Sequence, residues 1–188
     1  MFPGRANTVS KIPRTGAVQD KARAKRNTIS FRSINRRGTA GYDPGLQRHH
    51  LLPRQLLGRR CFQYMFEQIG RSPVGFDDFR ANGLLLPASE EASVRIGLPL
   101  HRGPHRQYNQ MVIERVARIE EGWLDRRAVD PFRARIEAIM RLRLLQAALR
   151  RRLLSEQRRL ILNRKDPLGT GFDFTELDAM AETLWAST

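Results

Sequence analysis

The sequence predicts a small α+β protein that is predominantly helical and contains two short strands. Residues 46–52 form a short segment between glycine and proline, and residues 84–87 are apolar and follow an Asn-Gly pair, which is typical of strands. Three longer segments, residues 54–70, 104–121 and 131–162, repeat apolar residues at three- and four-residue steps, as amphipathic helices do. With 188 residues and 40% hydrophobic composition, the chain can build one ordinary domain with extensions.

The first 41 residues are expected to form a basic, flexible arm or linker. They contain few large apolar residues and scatter Gly, Pro, Ser and Thr without a sustained period. Electrostatic docking on nucleic acid and a linker left from a larger polyprotein explain such an arm equally well. The core is predicted to follow over residues 42–122, with residues 123–188 as a helical extension packed on it.

Turn residues and helix signals delimit the elements of this predicted core. The Pro-Gly pair at residues 44–45 and the Asn-Gly pair at residues 82–83 predict turns that precede the two strands. Residues 88–100 are expected to form a loop. Pro104 favours the start of the next helix, and Gly122 predicts its end.

The C-terminal third is predicted to be helical and rich in arginine. Its apolar stripe of leucines runs until the Asp-Pro and glycine-containing break at residues 163–171. Arg150, Arg151 and Arg152 would project from this helix and bind the DNA backbone, although the solvated face of a supporting helix has the same pattern. An acidic final helix over residues 175–185 is expected to pack back on the basic helices.

The charge of the chain is strongly positive and unevenly placed. It carries 34 Lys and Arg against 19 Asp and Glu, a formal charge of +15. Such a balance favours a polyanionic partner, nucleic acid first and an anionic membrane second. Residues 41–105 are nearly neutral, whereas residues 1–40 hold ten basic residues against one acidic, and residues 106–165 hold sixteen against seven. A charge excess that served only solubility would not require this uneven distribution of basic residues. The distribution fits a cleft whose walls bind phosphates.

Several classes of protein and site are excluded by what the sequence lacks. The single Cys61 rules out an intramolecular disulfide framework and a cysteine-rich zinc site, and we expect it to pack in the core rather than act as a nucleophile. No apolar run has membrane-spanning length, and no segment resembles an ordinary signal peptide. Gly-x-Ser-x-Gly, Walker-type and dinucleotide-binding motifs are also missing.

The four histidines of the chain form two close pairs, His49-His50 and His101-x3-His105. Imidazole is the commonest protein ligand for zinc and the usual general base near neutral pH. Since successive strand side chains point to opposite faces, His49 and His50 are suited to different tasks. An H-x3-H pair around a helix start can bring both rings to one ion. The pattern predicts a metal-dependent hydrolytic site, with a structural three-histidine zinc site as the alternative.

Three motifs follow one another over residues 42–120, and they carry a family resemblance. They are His49-His50-Leu-Leu-Pro, Asn82-Gly-x-x-Leu-Pro and His101-x-Gly-x-His105-x-x-Tyr-Asn. On these motifs the chain resembles the HNH/endonuclease VII superfamily, and within it the AHH nuclease family of bacterial polymorphic toxins. The resemblance implies a ββα-metal (HNH/His-Me finger) core with long basic C-terminal helices. One residue departs from the pattern, because Arg48 stands where the family name places alanine.

The resemblance also implies roles for individual residues. His50 matches the general base that takes a proton from the attacking water, and Asn82 matches an asparagine that bridges the finger strands and helps to fix that base. His49, His101 and His105 match the ligands of one divalent ion, Zn²⁺ or Mg²⁺. Such an ion stabilises the pentacovalent phosphorane and the departing 3′ oxygen.

Basic residues near the histidines are candidate DNA contacts. Arg102 and Arg106 flank the ligand pair at a helix start, where backbone N–H groups also favour anions. Arg48, directly before the histidine doublet, joins them as a third candidate. Tyr108 and Asn109 complete the last motif, and Tyr108 either belongs to the site or packs at the seam between helix and sheet.

Together these features predict a metal-dependent endonuclease that hydrolyses phosphodiester bonds of duplex DNA with little sequence preference. The alternatives are a non-catalytic nucleic-acid-binding protein with a structural zinc site, and an RNase of the same fold. The resemblance further implies an antibacterial toxin module that a specialised secretion system delivers into the cytoplasm of a target bacterium. An acidic cognate immunity protein would neutralise it, and no membrane insertion is expected.

Overall fold

The structure is a computed structural model that describes residues 28–157, 159–169, 179–180, 182–183 and 185. Residues 1–27 of the predicted arm lie outside the described residues, and so does most of the predicted final helix.

In chain order the elements are a 3₁₀ helix Phe31–Ser33, strand β1 Leu46–His50, a 3₁₀ helix Arg54–Gly58, helices α1 Arg60–Ile69, α2 Arg71–Val74 and α3 Phe79–Asn82, strand β2 Gly83–Pro87, and helices α4 Glu90–Ile96, α5 Arg106–Arg127 and α6 Pro131–Leu154. This order confirms the expected α+β fold that is mostly helical.

The two predicted strands pair with each other in one antiparallel sheet. The register runs from Leu46 opposite Pro87 to His50 opposite Gly83. One face of the sheet turns towards the core, where Leu86 is fully buried. The sheet therefore holds the histidine doublet beside the first two residues of β2.

The hydrophobic core lies mainly between α5 and α6, with α1 packed across them. Phe62 and Phe66 are 2% and 5% exposed, so this pair packs in the core and offers no base-stacking surface. Asp130 caps α6 by accepting a hydrogen bond from the Arg133 N–H (2.9 Å), and Pro131 opens the helix as predicted.

The expectation of a flexible arm is wrong over residues 28–41, because polar contacts hold this segment on the core. The Ile29 N–H donates to the Asp78 carboxylate (3.0 Å), and the Phe79 N–H donates to the Ile29 carbonyl (2.7 Å). Further along, the Asn35 amide donates to the carbonyls of Asp43 and Leu46, both at 2.8 Å. Apolar periodicity could not reveal a segment that is held by hydrogen bonds.

Two predicted connections are instead helical. Residues 88–100 contain α4, because Ser89 accepts a hydrogen bond from the Ala92 N–H (3.2 Å) and Gly97 ends the helix at φ 72°. The Asn-Gly pair does not form a turn either. Asn82 is the last residue of α3, and Gly83 opens β2 with an extended φ of −112°.

The lengths of three helices also differ from prediction. Gly122 lies inside α5, which continues to Arg127 because packing against α6 outweighs the cost of about 1 kcal/mol for a helical glycine. Helix α6 ends at Leu154, so residues 160–162 are buried without being helical. The first predicted helix is divided at Arg59, and Cys61 is exposed rather than part of the core.

Candidate metal centre and active site

Three histidines from separate parts of the chain meet at one point. His49 lies on β1, His101 in the loop before α5, and His105 at the N-cap position of that helix. One ring nitrogen from each lies within 4.8 Å of the others, and the ring centroids are 4.3 to 5.7 Å apart. The fold thus assembles the set of ligands that the resemblance implied.

The chemistry of these three side chains fits a metal ion. The buried nitrogens His49 Nε2, His101 Nδ1 and His105 Nδ1 have no hydrogen-bond partner within the described part of the chain. Burial lowers the pKa of all three rings, and neighbouring histidines lower the pKa of His49 and His101 further, that of His101 to about 4. Neutral imidazoles with free lone pairs are the form that binds a cation.

Tyr108 ties the first turn of α5 to the end of β1. Its side chain is fully buried, and its hydroxyl donates a hydrogen bond to the Leu51 carbonyl (2.7 Å). The edge of the ring also contacts His49, with centroids 5.0 Å apart. Tyr108 therefore packs at the seam between helix and sheet and supports the strand that carries the histidine doublet.

The loop that carries His101 and His105 is held by a segment beyond α6. Asp166 is only 6% exposed, and its carboxylate accepts a hydrogen bond from the Leu100 N–H (2.8 Å). The Asn163 amide donates to the Arg102 carbonyl. Burial lowers the pKa of His105, and a hydrogen bond from its ring to the Leu162 backbone carbonyl opposes this shift. These supports were not predicted, because nothing in residues 159–169 marks them as neighbours of the histidines.

Next to Leu100, the His101 N–H donates to the Pro87 carbonyl (2.7 Å). The last residue of β2 therefore holds the backbone of His101 directly. Strand pairing carries the same restraint to His49, which lies opposite Leu84.

His50 lies outside the three-histidine cluster, as expected for adjacent residues of a strand. Its ring is half-buried and stacks on Phe31, with centroids 3.8 Å apart and an angle of 3° between the planes. Burial first, then the charge of Arg54, lowers the pKa of His50 to about 4, although Asp77 acts in the opposite direction. At neutral pH the ring is uncharged and can accept a proton.

Asn82 holds the backbone that follows His50. The side chain is fully buried; its Oδ1 accepts from the Leu52 N–H (2.7 Å), and its Nδ2 donates to the carbonyls of Leu52 and Phe76, both at 3.1 Å. The Gln146 amide of α6 donates to the same Oδ1 (3.2 Å). Asn82 is thus placed to position the strand end, and Gln146 is a supporting residue that the sequence did not indicate.

The six arginines proposed to contact DNA divide into two groups. Arg102, Arg106 and Arg151 are exposed. The other three differ. Arg48 is also exposed, but it donates to the Phe31 carbonyl (2.9 Å). Arg150 is half-buried and donates to the Arg80 carbonyl (2.9 Å), and Arg152 is 7% exposed.

Arg54 is a further candidate that the sequence did not single out. It is exposed and lies near enough to His50 to lower the pKa of that ring.

Residues 30–141 match AHH, described as a nuclease family of the HNH/ENDO VII superfamily with conserved AHH. The chain belongs to the AHH nuclease family. The match confirms the resemblance seen in the motifs and covers all four histidines and Asn82, while Arg48 replaces the alanine of the AHH motif. No curated protein and no solved structure matches the chain.

Membership of the AHH family indicates a nuclease with a nucleic-acid substrate. HNH-superfamily nucleases use a divalent metal, and the cluster of His49, His101 and His105 could bind one. Across the described residues, no helix is long and apolar enough to cross a bilayer.

Proposed function

We propose that this AHH protein is a metal-dependent endonuclease that hydrolyses duplex DNA, and that β1, β2 and the start of α5 form its ββα-metal finger. The observation that carries the proposal is the arrangement of the histidines. Among the described residues, each of three neutral rings has a buried nitrogen without a hydrogen-bond partner, and one nitrogen from each ring lies within 4.8 Å of the others. The neighbouring His50 is neutral and half-buried. The cluster of three histidines suits the binding of an ion, and His50 suits proton transfer.

The ion would be held by His49, His101 and His105, and when bound it would act as a Lewis acid on the scissile phosphate and the departing oxygen. His50 accepts the proton of the attacking water at a free ring nitrogen. Asn82 keeps the strand end that follows His50 in register by binding both backbone groups of Leu52. Three imidazole ligands favour Zn²⁺ or another transition metal over Mg²⁺, which prefers oxygen ligands.

An open coordination sphere supports catalysis over the structural-zinc alternative. Structural zinc sites are closed by four protein ligands, whereas catalytic sites keep a position for water or substrate. Among the described residues, no fourth His, Cys, Asp or Glu joins the cluster. A binding protein would also have no use for His50 as a base.

Phosphate contacts would come from exposed arginines close to the histidines. Arg102 and Arg106 directly follow His101 and His105 near the N-terminus of α5, where backbone N–H groups add to the attraction of an anion. Arg54 would bind a phosphate on the His50 side. These proposed contacts go to phosphates and not to base edges, so we expect little sequence preference.

Plasmid cleavage by the full chain tests the proposed activity. The metal-free protein should leave supercoiled plasmid intact, and added Zn²⁺, Mn²⁺ or Mg²⁺ should restore nicking or linearisation. Single-stranded and structured RNA are assayed in parallel, and cleavage of RNA in place of DNA would favour the RNase alternative. Undiminished cleavage in excess chelator would contradict the metal mechanism. Absence of cleavage by metal-loaded, folded protein would favour the binding alternative.

We further propose that the protein acts as an antibacterial toxin, delivered into a target cell and neutralised by an acidic immunity protein. Support comes from the net charge of +15, which would steer an acidic inhibitor to the chain. Expression in a bacterium without an inhibitor should cause DNA loss and growth arrest, and His50→Ala should abolish both. Normal growth with active wild-type nuclease in the cytoplasm would refute this role.

A further inference from the structure

The ring of Phe31 lies flat against the imidazole of His50. The centroids are 3.8 Å apart and the planes differ by 3°, so the aromatic ring covers one face of the imidazole. Phe31 comes from the segment before β1 and is only partly buried. It does not belong to the hydrophobic core cluster. Core stability therefore gives no account of its position.

The stack is held from several sides. The edge of Phe79 contacts the Phe31 ring, with centroids 5.1 Å apart and an angle of 76°. The carbonyl of Phe31 accepts a hydrogen bond from Arg48, one residue before the histidine doublet (2.9 Å). Just before Phe31, Ser30 forms a β-bridge with Asp78, whose carboxylate also caps α3. The segment thus connects β1 to the start of α3 and presents one ring to His50.

We propose that Phe31 is a positioning residue that fixes the plane of the His50 imidazole for proton transfer. The inference rests on the proposed role of His50 as general base. The outer torsion of a histidine side chain is broad and roughly two-fold, so the strand alone leaves the ring free to tilt. A flat aromatic neighbour on one face removes that freedom. The free edge of the ring then points steadily at the attacking water.

The orientation of the His50 ring should affect turnover more than substrate binding. A displacement of about 1 Å at a reacting group can cost roughly 100-fold in rate. Within the described residues the Phe31 ring contacts the rings of His50 and Phe79 and not those of the three clustered histidines. Loss of the stack should therefore leave substrate binding and the metal cluster intact. The signature is therefore a lower kcat at unchanged KM and unchanged metal affinity.

The experiment compares Phe31→Leu, which keeps an apolar side chain, with Phe31→Tyr, which keeps the ring. With the metal-loaded full chain, Phe31→Leu should lower kcat about 10- to 100-fold, and Phe31→Tyr should restore most of it. In a His50→Ala background, Phe31→Leu should cause no further loss, since both changes act on one step. Phe132→Leu is the matched control, because Phe132 is 70% exposed on α6.

A second measurement does not depend on activity. In NMR spectra, ring current from Phe31 should move the ring protons of His50 upfield in the wild type and in Phe31→Tyr, and Phe31→Leu should remove the shift. An unshifted wild-type resonance overturns the inference even if a variant fails to fold.

Four results for Phe31→Leu also overturn the inference. They are an unchanged kcat, a raised kcat (which would make Phe31 an inhibitory cover), a lowered metal affinity, and an equal loss of activity in the His50→Ala background. If His50→Ala itself cleaves normally, the proposed function fails, and the NMR shift still tests the stack.

Discussion

Replacement of Asn82 by alanine should destabilise the protein more than any other single polar substitution at the site. The side chain is fully buried and makes four hydrogen bonds, two to Leu52 and one each to Phe76 and Gln146. Leu52 and Phe76 are 0% and 1% exposed. Their backbone groups therefore cannot turn to bulk solvent when the amide is removed.

The magnitude follows from the groups left unsatisfied. Each buried donor or acceptor without a partner costs about 1–3 kcal/mol. With the N–H and carbonyl of Leu52 and the carbonyl of Phe76 affected, Asn82→Ala should lower the free energy of unfolding by about 3–9 kcal/mol. This is a large part of the roughly 5–15 kcal/mol that stabilises a typical domain.

Asn82→Asp should be at least as harmful, although it conserves size. The new carboxylate oxygen would face two carbonyls in place of an amide donor.

Urea denaturation of the metal-free protein measures this effect without a contribution from the ion. Asn109→Ala is the matched control, because Asn109 is partly exposed on α5, and it should change stability by no more than about 0.5 kcal/mol. A loss below about 1 kcal/mol for Asn82→Ala would mean that water replaces the amide without cost. The reasoning that assigns Asn82 to backbone positioning would then be wrong.

Three further predictions concern the metal, its supporting segment and the DNA. His50→Ala should lower cleavage about 10²- to 10⁴-fold and keep the bound ion, whereas His101→Ala should lose both cleavage and the ion. Plasmid cleavage and metal titration measure the two effects. Release of the ion by His50→Ala would mean that the roles of base and metal ligand are assigned the wrong way round. Asp166→Ala should weaken metal binding about 10- to 100-fold in a chelator competition. Asp125→Ala is the control, because Asp125 is exposed, and it should leave the affinity unchanged. Equal affinities for the two variants would mean that residues 159–169 do not support the metal site. Arg102→Ala should reduce the slope of log K against log salt for DNA binding by about 0.9, and an unchanged slope would exclude a phosphate contact.

The sequence was most informative where chemistry and spacing coincide. With only four histidines in the chain, the doublet and the H-x3-H pair indicate a strand and a helix start that could share an ion. The strand pairing and the meeting of three rings agree with that reasoning. The family match then supports the nuclease interpretation independently of the geometry.

Contacts between distant polar groups could not be predicted from the sequence. Asp166 and Leu100 are separated by 66 positions, and their hydrogen bond leaves no periodic pattern. The stacking of Phe31 on His50 was hidden for a similar reason, since one aromatic residue in a Gly- and Ser-rich stretch carries little signal. The sequence also does not distinguish the roles of the arginines. Arg48 and Arg102 both lie beside a histidine, yet within the described part of the chain only the Arg48 side chain of these two donates to a backbone carbonyl.

The late position of Asp166 in the chain has a consequence for the order in which the nuclease matures. Synthesis proceeds from the N-terminus, so a ribosome has made every histidine long before it makes residues 159–169. Until then Leu100 and Arg102 lack the partners that hold the loop of His101 and His105. The nascent chain therefore passes through a stage in which all four histidines are present and this loop is not yet held in place.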